Sequence, residues 1–278
     1  MSRLAIDLGG SWLRYELVGE EQVCGRLPSR ETDLASFIAS MIERHPQIDA
    51  VAISFAGQVH DGTILSSPNI AVAEREIETF VQTRFGIPCR LENDLNCAAL
   101  AESVYWNETE LVALYSGTGL GGGIVTEGRI LHGSRSLAGE IGHIPYKEAP
   151  FSCGCGKRNC LELYASGSGI EKWMEHLGCE EGVDLERLLS SPRTECAKIA
   201  VRYLDALLVA SATMVTLFNP RILVLGGGVV RHNPELPGAV RKRIGSFALK
   251  ESCDGLRIES SRIGDASLEG AKLLLDTI

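Results

Sequence analysis

Short apolar runs alternate with turn residues in two successive rounds along the chain. Leu4 to Leu8, Trp12 to Val18 and Gln22 to Leu27 are β-compatible runs separated by Gly9-Gly10 and by Gly19-Glu20-Glu21, a spacing that predicts a strand meander. From Thr32 the period becomes helical: Leu34, Phe37, Ile38, Met41 and Ile42 share one face, and the pattern stops before Pro46. Ala50 to Phe55 reads as a buried strand, and Ile77, Phe80, Val81 and Phe85 mark an amphipathic helix closed by Gly86. Arg90 to Glu92 ends a further strand that passes into a helix from Asn96 to Tyr105.

The same grammar restarts at Leu111 to Tyr115, where a strand meets a glycine turn and then a second strand, Gly122 to Thr126. Arg129 to Leu131 is expected to pair with it across a Glu127-Gly128 turn. A second half that repeats the strand, turn, strand plan of the first predicts a duplicated α/β architecture with a cleft between the halves. Arg193 to Phe218 reads as a long helix ended by Asn219-Pro220, and Ile222 to Leu225 as a buried strand running into Gly226-Gly227-Gly228. Leu236 to Phe247 and Ser267 to Leu275 read as helices.

Composition narrows the field of functions. At roughly 150 residues per unit, 278 residues correspond to about two folding units. Apolar residues at 45% and charged residues at 23% describe a soluble globular chain. The net charge of −9 opposes a polyanionic partner, and the longest basic cluster, Arg241-Lys242-Arg243, is too short to offset it, so no nucleic-acid partner is expected. The first residues reach Asp7 and then two glycines before any long apolar run, so no signal peptide is expected. No stretch is read as approaching the roughly 20 apolar residues of a bilayer span; a cytoplasmic protein without a membrane partner is the expectation. Nine cysteines in a reducing compartment read as thiols or metal ligands rather than as a disulfide framework.

Three glycine turns follow apolar strands: Asp7-Leu8-Gly9-Gly10-Ser11, Ser116 to Gly123, and Gly226-Gly227-Gly228. Lacking Cβ, glycine lets main-chain N–H groups approach phosphate oxygens, although any one such turn is equally read as a plain strand-end turn. Three together, one preceded by an acid able to hold Mg²⁺ through water, favour a nucleotide site. No Gly-Lys-Ser/Thr follows a glycine loop, and the first turn leads into a strand, so neither a P-loop nor a dinucleotide fingerprint fits.

His143, Cys153, Cys155 and Cys160 form the second signal. Three thiols within eight residues, with an imidazole upstream, suit tetrahedral Zn²⁺, and four protein ligands would leave no open position, so the metal would be structural. Cys24, Cys89, Cys97, Cys179, Cys196 and Cys253 are scattered and read as core or surface thiols. The third signal is Glu92-Asn93-Asp94, where a strand meets a helix, with Glu140 and Glu162 close to the cysteines in sequence. An acid there either caps the helix or sits at the carboxyl end of a strand to accept a proton from an attacking hydroxyl. Both readings stand at this level.

The motifs Asp7-Leu8-Gly9-Gly10-Ser11-x-x-Arg14, Glu92-Asn93-Asp94, Gly117-Thr118-Gly119-x-Gly121-Gly122-Gly123, Glu140-x-Gly142-His143 and Cys153-x-Cys155-x-x-x-x-Cys160-x-Glu162 together resemble those of the ROK family (repressors, open reading frames and kinases). The resemblance runs from Asp7 to Asp265-Ala266. It implies an actin-like ATPase fold, related to ribonuclease H, with two α/β domains flanking a cleft. The division it implies is a smaller N-terminal domain of residues 1–108 with 265–278, and a larger domain of residues 109–264 carrying the zinc loop. The implied activity is transfer of the γ-phosphoryl group of ATP to a hexose, usually at its 6-hydroxyl, with Mg²⁺ and a structural Zn²⁺ present.

Carried onto matching positions, Asp94 would be the general base. Gly57, Asn69, Asn93, Glu140, His143 and Glu162 would contact the sugar, His143 with one ring nitrogen on zinc and the other towards the sugar. Asp7, Gly9, Gly10, Ser11, Arg14, Gly117, Thr118 and Gly119 would surround the phosphates, with Gly227 and Gly228 nearer the adenosine. Glucose is the favoured substrate, N-acetylmannosamine and N-acetylglucosamine the alternatives, and a homodimer is common in the family.

Several positions depart from the family pattern. Ser11 replaces a threonine but keeps its hydroxyl, Asn159 stands where glycine is usual, in a turn where asparagine tolerates positive φ, and Ile70-Ala71-Val72-Ala73 replaces a tryptophan-containing wall of the sugar pocket. Ser267 stands for a frequent glycine. The rival within the family is a sugar-sensing regulator without catalysis. Regulators carry a helix-turn-helix ahead of the first strand, which here is expected from Leu4, and the acidic balance disfavours DNA. An unrelated actin-like ATPase acting on glycerol or an acyl acid need not pair a Cys₃His site with Glu140 and Glu162.

Overall fold

The computed structural model describes residues 2–19, 23–67, 70–180, 182 and 184–278. Strands β1 (Ser2–Leu8), β2 (Trp12–Gly19) and β3 (Val23–Pro28) form the meander, followed by helix α1 (Leu34–Arg44) and strand β4 (Ile48–Phe55). A short hairpin, β5 (Gln58–His60) and β6 (Thr63–Ser66), precedes helix α2 (Ile77–Phe85), strand β7 (Cys89–Asn93) and helix α3 (Asp94–Trp106). The second round opens with β8 (Leu111–Ser116), β9 (Leu120–Thr126) and β10 (Arg129–Ile130). Helices α4 (Glu162–Ala165), α5 (Gly167–Leu177), α6 (Leu185–Leu189) and α7 (Thr194–Phe218) follow. Strand β11 (Ile222–Gly226), helices α8 (Gly228–His232) and α9 (Leu236–Arg243), strand β12 (Arg257–Ser260) and helix α10 (Ala266–Leu274) complete the chain.

The two five-stranded sheets have orders β3-β2-β1-β4-β7 and β10-β9-β8-β11-β12. In the first, β1 pairs antiparallel with β2 and parallel with β4; in the second, β8 pairs antiparallel with β9 and parallel with β11. The repeat read from the sequence is therefore a repeat of topology. Contacts divide the chain into two units, Met1–Val104 with Ile130–Ala138 and Ile263–Ile278, and Tyr105–Arg129 with Gly139–Arg262.

In the first unit the two faces of the sheet bury different residues. Leu4, Ile6, Leu8, Val51, Ile53 and Phe55 lie in one apolar cluster with Ile38 and Met41 of α1. Ala5, Ala50 and Ala52 lie in another with Cys97 of α3 and Leu268, Ala271 and Leu274 of α10. Small residues on that face let the helices approach closely. At their contact a Cβ on Gly270 would collide with the carbonyl of Cys97.

Three expectations are corrected. Helix α3 begins at Asp94, not Asn96, because the Asn93 carboxamide oxygen accepts the N–H groups of Leu95 and Asn96 at 2.9 and 3.2 Å and caps the turn one residue earlier. The helix from Leu236 ends at Arg243 and passes into a 3₁₀ turn, Ile244–Ser246. Helix α7 is long and apolar enough to cross a membrane by length and composition, which the sequence reading did not register; half of its apolar window is buried in the protein, the use of a core helix.

Gly270→Ala is expected to destabilise the first unit by about 1–3 kcal/mol, the usual cost of overpacking. The check is the urea midpoint, and an unchanged midpoint would show that α3 and α10 separate freely.

Candidate functional site

In the second unit the glycine turn after β8 is fixed from beneath. Ser116 is fully buried; its Oγ donates to the Ala165 carbonyl at 2.8 Å and accepts from the Tyr203 hydroxyl at 2.8 Å. The Gly117 N–H bonds to the Gly119 carbonyl at 2.9 Å. The carbonyls of Gly117 and Thr118 accept the N–H groups of Gly167 and Ser168, at 2.7 and 3.2 Å, from the first turn of α5. Gly227 holds φ at +91°, and a Cβ there would strike the Ser116 main chain, so this neighbouring turn tolerates only glycine. Gly117, Thr118, Gly119, Gly227 and Gly228 thus belong to one set of main-chain turns. The Ser166-Gly167-Ser168 start of α5, which backs them, was missed; an N-capping serine ahead of an amphipathic run was its signal, and Ser166 Oγ does accept the Gly169 N–H at 3.0 Å.

The cysteine loop lies against the same turns. One ligand atom each from His143, Cys153, Cys155 and Cys160 falls within 4.8 Å of the others. Cys155 Sγ is 3.4 Å from Cys160 Sγ, and Cys153 Sγ is 3.7 Å from His143 Nδ1. Zinc–ligand bonds of roughly 2.0–2.3 Å require tetrahedron edges of about 3.3–3.8 Å; the Cys155–Cys160 and Cys153–His143 separations fall in that range, and three thiols with an imidazole fit the ion's chemistry. Nε2 of His143 faces the other way, 3.8 Å from Glu140 Oε2. Glu162 joins the loop to the glycine turn: Oε1 lies 3.3 Å from Cys153 Sγ and Oε2 accepts the Leu120 N–H at 3.0 Å. Burial pushes the Glu140 carboxyl above the usual range, His143 opposing the shift and Glu162 adding to it. Gly156, at φ +88°, makes the left-handed step of the loop, and Asn159 does not take positive φ.

In the first unit Asp7, 3% exposed, is the second residue from the end of β1. Its Oδ1 accepts the Ser54 hydroxyl at 2.9 Å, and Oδ2 is 3.4 Å from Nε of Arg14, its cross-strand partner on β2. Arg14 also pairs with Asp265 ahead of α10. Burial raises the Asp7 pKa, and Arg14 and Ser54 restrain the rise. In the turn beyond, the Gly9 N–H bonds to the Trp12 carbonyl at 3.0 Å, its carbonyl accepts Ser29 Oγ at 2.6 Å, and Ser11 accepts the Ser29 N–H at 3.1 Å; Gly10 lies between them.

Asp94 is half-buried at the start of α3, and its Oδ1 accepts the Leu95 N–H at 3.0 Å and the Asn93 amide at 3.2 Å. The same amide donates to the Gly57 carbonyl at 3.0 Å. Gly57, Asn93 and Asp94 therefore form one hydrogen-bonded group. Asn69 lies outside the described residues.

One cysteine reading is overturned. Cys179 and Cys196 are joined in a disulfide, not present as separate thiols. Their Cα atoms are 5.9 Å apart where the end of α5 meets the start of α7, and Arg193, just before α7, donates to the carbonyls of Leu177 and Gly178 across that junction.

The paired sheets, with glycine turns after β1, β8 and β11, define an actin-like ATPase fold, and it is shared over the full length of both chains with the ROK hexokinase of Thermus thermophilus, at a TM-score of 0.83 and 26% identity. The ROK family model matches residues 3–278, and this chain belongs to that family. An N-acetyl-D-glucosamine kinase of Vibrio cholerae serotype O1 is 28% identical over 274 residues, covering 87% of this chain and 90% of that protein. A glucokinase of Thermotoga maritima is 27% identical over 305 residues, covering 98% and 96%.

Elemental analysis of purified protein is expected to find about one zinc per chain. Cys155→Ser should remove it and lower the melting temperature, because the ion's binding energy is folding energy for the loop. Protein free of any metal at full stability would discard the site.

Proposed function

We propose that this chain is an ATP-dependent sugar kinase that phosphorylates a hexose at its 6-hydroxyl, with glucose as substrate and Asp94 as general base. The observation that carries the reading is the placement of Asp94. It stands at the carboxyl end of a parallel strand, with one oxygen anchored by Asn93 and the Leu95 N–H. As the sugar oxygen bonds to the γ-phosphorus, the bond from that phosphorus to the ADP oxygen breaks and the hydroxyl proton passes to Asp94. Phosphoryl transfer asks little more of a protein than this, together with positioning and charge.

In this reading Gly57, Asn69, Asn93, Glu140, His143 and Glu162 bind sugar hydroxyls. The turns at Gly9, Gly10 and Ser11 and at Gly117, Thr118 and Gly119 serve the phosphates with Arg14, and Gly227 and Gly228 the adenosine. Mg²⁺ takes one or two carboxylates plus substrate phosphates. Asp7 would supply a carboxylate to that set, and the ion would neutralise charge on the nucleotide. Zinc in the Cys₃His set would hold His143 Nδ1 and so fix the tautomer and aim of Nε2. The likeness to the Vibrio cholerae enzyme supports N-acetylglucosamine as the second substrate reading.

ADP release, coupled to a spectroscopic readout across hexoses and N-acetylhexosamines, tests the activity; glucose is expected to give the highest kcat/KM. Silence on every sugar would return the chain to the sensor reading. Asp94→Asn should lower kcat by about 10²–10⁴-fold with ATP binding intact. Normal turnover in that variant would remove Asp94 from the chemistry.

A further inference from the structure

Residues 130–138 belong by contact to the first unit, although the chain on either side of them belongs to the second. Two side chains hold the segment: Ser136 Oγ lies 3.0 Å from His60 Nδ1, and His132 Nε2 lies 2.7 Å from Glu92 Oε2. The Glu92 side chain is 6% exposed and that of His132 39%. The other carboxylate oxygen, Oε1, accepts the Asn93 N–H and the Asn96 amide, both at 2.9 Å. Hydrogen bonds therefore run without a break from His132 through Glu92 and Asn93 to Asp94.

We propose that His132, as an imidazolium seated on the Glu92 carboxylate, is the positioning residue for Asp94. By occupying Oε2 it turns Oε1 towards Asn93 and Asn96, which fixes the backbone and side chain of the residue that anchors Asp94. The inference rests on the reading of Asp94 as base. A cavity of about 330 Å³, lined by His60, Asp61, Glu78, Arg90 and Glu92 among others, adjoins His132 and gives its ring access to water. These are the charged and titratable groups that line the cavity beside the ring from β7, the hairpin and α2. The hydrogen bond to Glu92 raises the His132 pKa above that of free imidazole; burial and Arg90 pull it back. Burial works against the Glu92 charge, but hydrogen bonds from His132, Asn96 and Asn93 outweigh it and hold its pKa low.

The sign of the pH effect follows. The pair's stabilisation through His132 is complete below the free imidazole pKa of about 6.5 and is lost as pH rises through the elevated value; through Glu92 it is lost as pH falls through the depressed one. A neutral ring still donates from Nε2, but without the positive charge it holds the carboxylate less strongly than the imidazolium does. Deprotonation should therefore lower kcat several-fold rather than abolish it.

The experiment compares kcat against pH in the wild type, His132→Gln and His132→Arg, with melting temperatures on the same samples. The wild type should show an alkaline limb. His132→Gln should be about tenfold slower near neutrality and lack the limb. His132→Arg, charged throughout and with the cavity to accommodate it, should keep the faster rate to higher pH. In parallel, NMR should show the His132 ring titrating above the free imidazole value, with the Asn93 and Leu95 amide resonances following the same midpoint, whether or not any sugar turns over. An unchanged limb in His132→Gln, or amide resonances that ignore the ring, overturns the proposal. Normal turnover in Asp94→Asn would instead defeat the base reading while the amide titration still reports on the hydrogen-bond chain.

Discussion

A carboxylate buried at the end of a strand must have a donor for each oxygen, and the geometry of the first unit's acidic turn follows from how Glu92 finds them. Strand β7 closes its sheet, so its outer side lacks a neighbouring strand. Glu78 of α2 supplies part of what is missing by accepting the Leu91 N–H at 2.7 Å. One residue on, Glu92 turns inward and takes its donors from the helix that follows and from His132. An apolar residue at 92 would leave the Asn96 amide buried without that acceptor and His132 without a counter-charge. The strand end and the helix start are thus one hydrogen-bonded object, and Asp94 sits on it.

Glu162 does comparable work in the second unit with different chemistry. Its two oxygens bridge a thiol of the cysteine loop and a main-chain N–H beside the glycine turn. A carboxylate 3.3 Å from a sulfur is tolerable when a proton or a metal cation balances the pair, which ties the charge state of the loop to the position of the turn. His143 stands in the same relation to Glu140, its Nδ1 towards the cysteines and its Nε2 towards the acid. The loop is therefore better understood as a frame for two acids and an imidazole than as an isolated structural clip.

What the sequence disclosed, it disclosed through local pattern. The short β-compatible runs and the glycine turns located β1, β2, β8 and β9, and the spacing of Cys153, Cys155 and Cys160 located the only group of metal-ligating side chains among the described residues. The β5–β6 hairpin was not read although its Asp61-Gly62 turn carried the signal; both residues have positive φ, as such turns demand. His132 was invisible for a different reason. Its partner lies 40 residues away on β7, and a lone histidine between elements has no spacing to interpret. The Cys179–Cys196 link was hidden in the same way, because 17 residues separate the sulfurs and they become neighbours only where the ends of two packed helices meet, an arginine bridging them.

The duplicated topology shows how one scaffold divides labour. In both units an antiparallel hairpin turns through glycines beside a parallel strand, yet the turns differ by a residue: Leu8 pairs with Leu13 in the first, Ser116 with Leu120 in the second. The longer turn follows a buried acid whose charge is balanced by a cross-strand arginine, so that half offers a carboxylate and a cation together. In the shorter turn Ser116 stands just before the glycines, its hydroxyl spent on Ala165 and Tyr203, so that half offers main-chain groups on a neutral footing. The duplication keeps the strand plan while the residues near each turn diverge, without changing the fold.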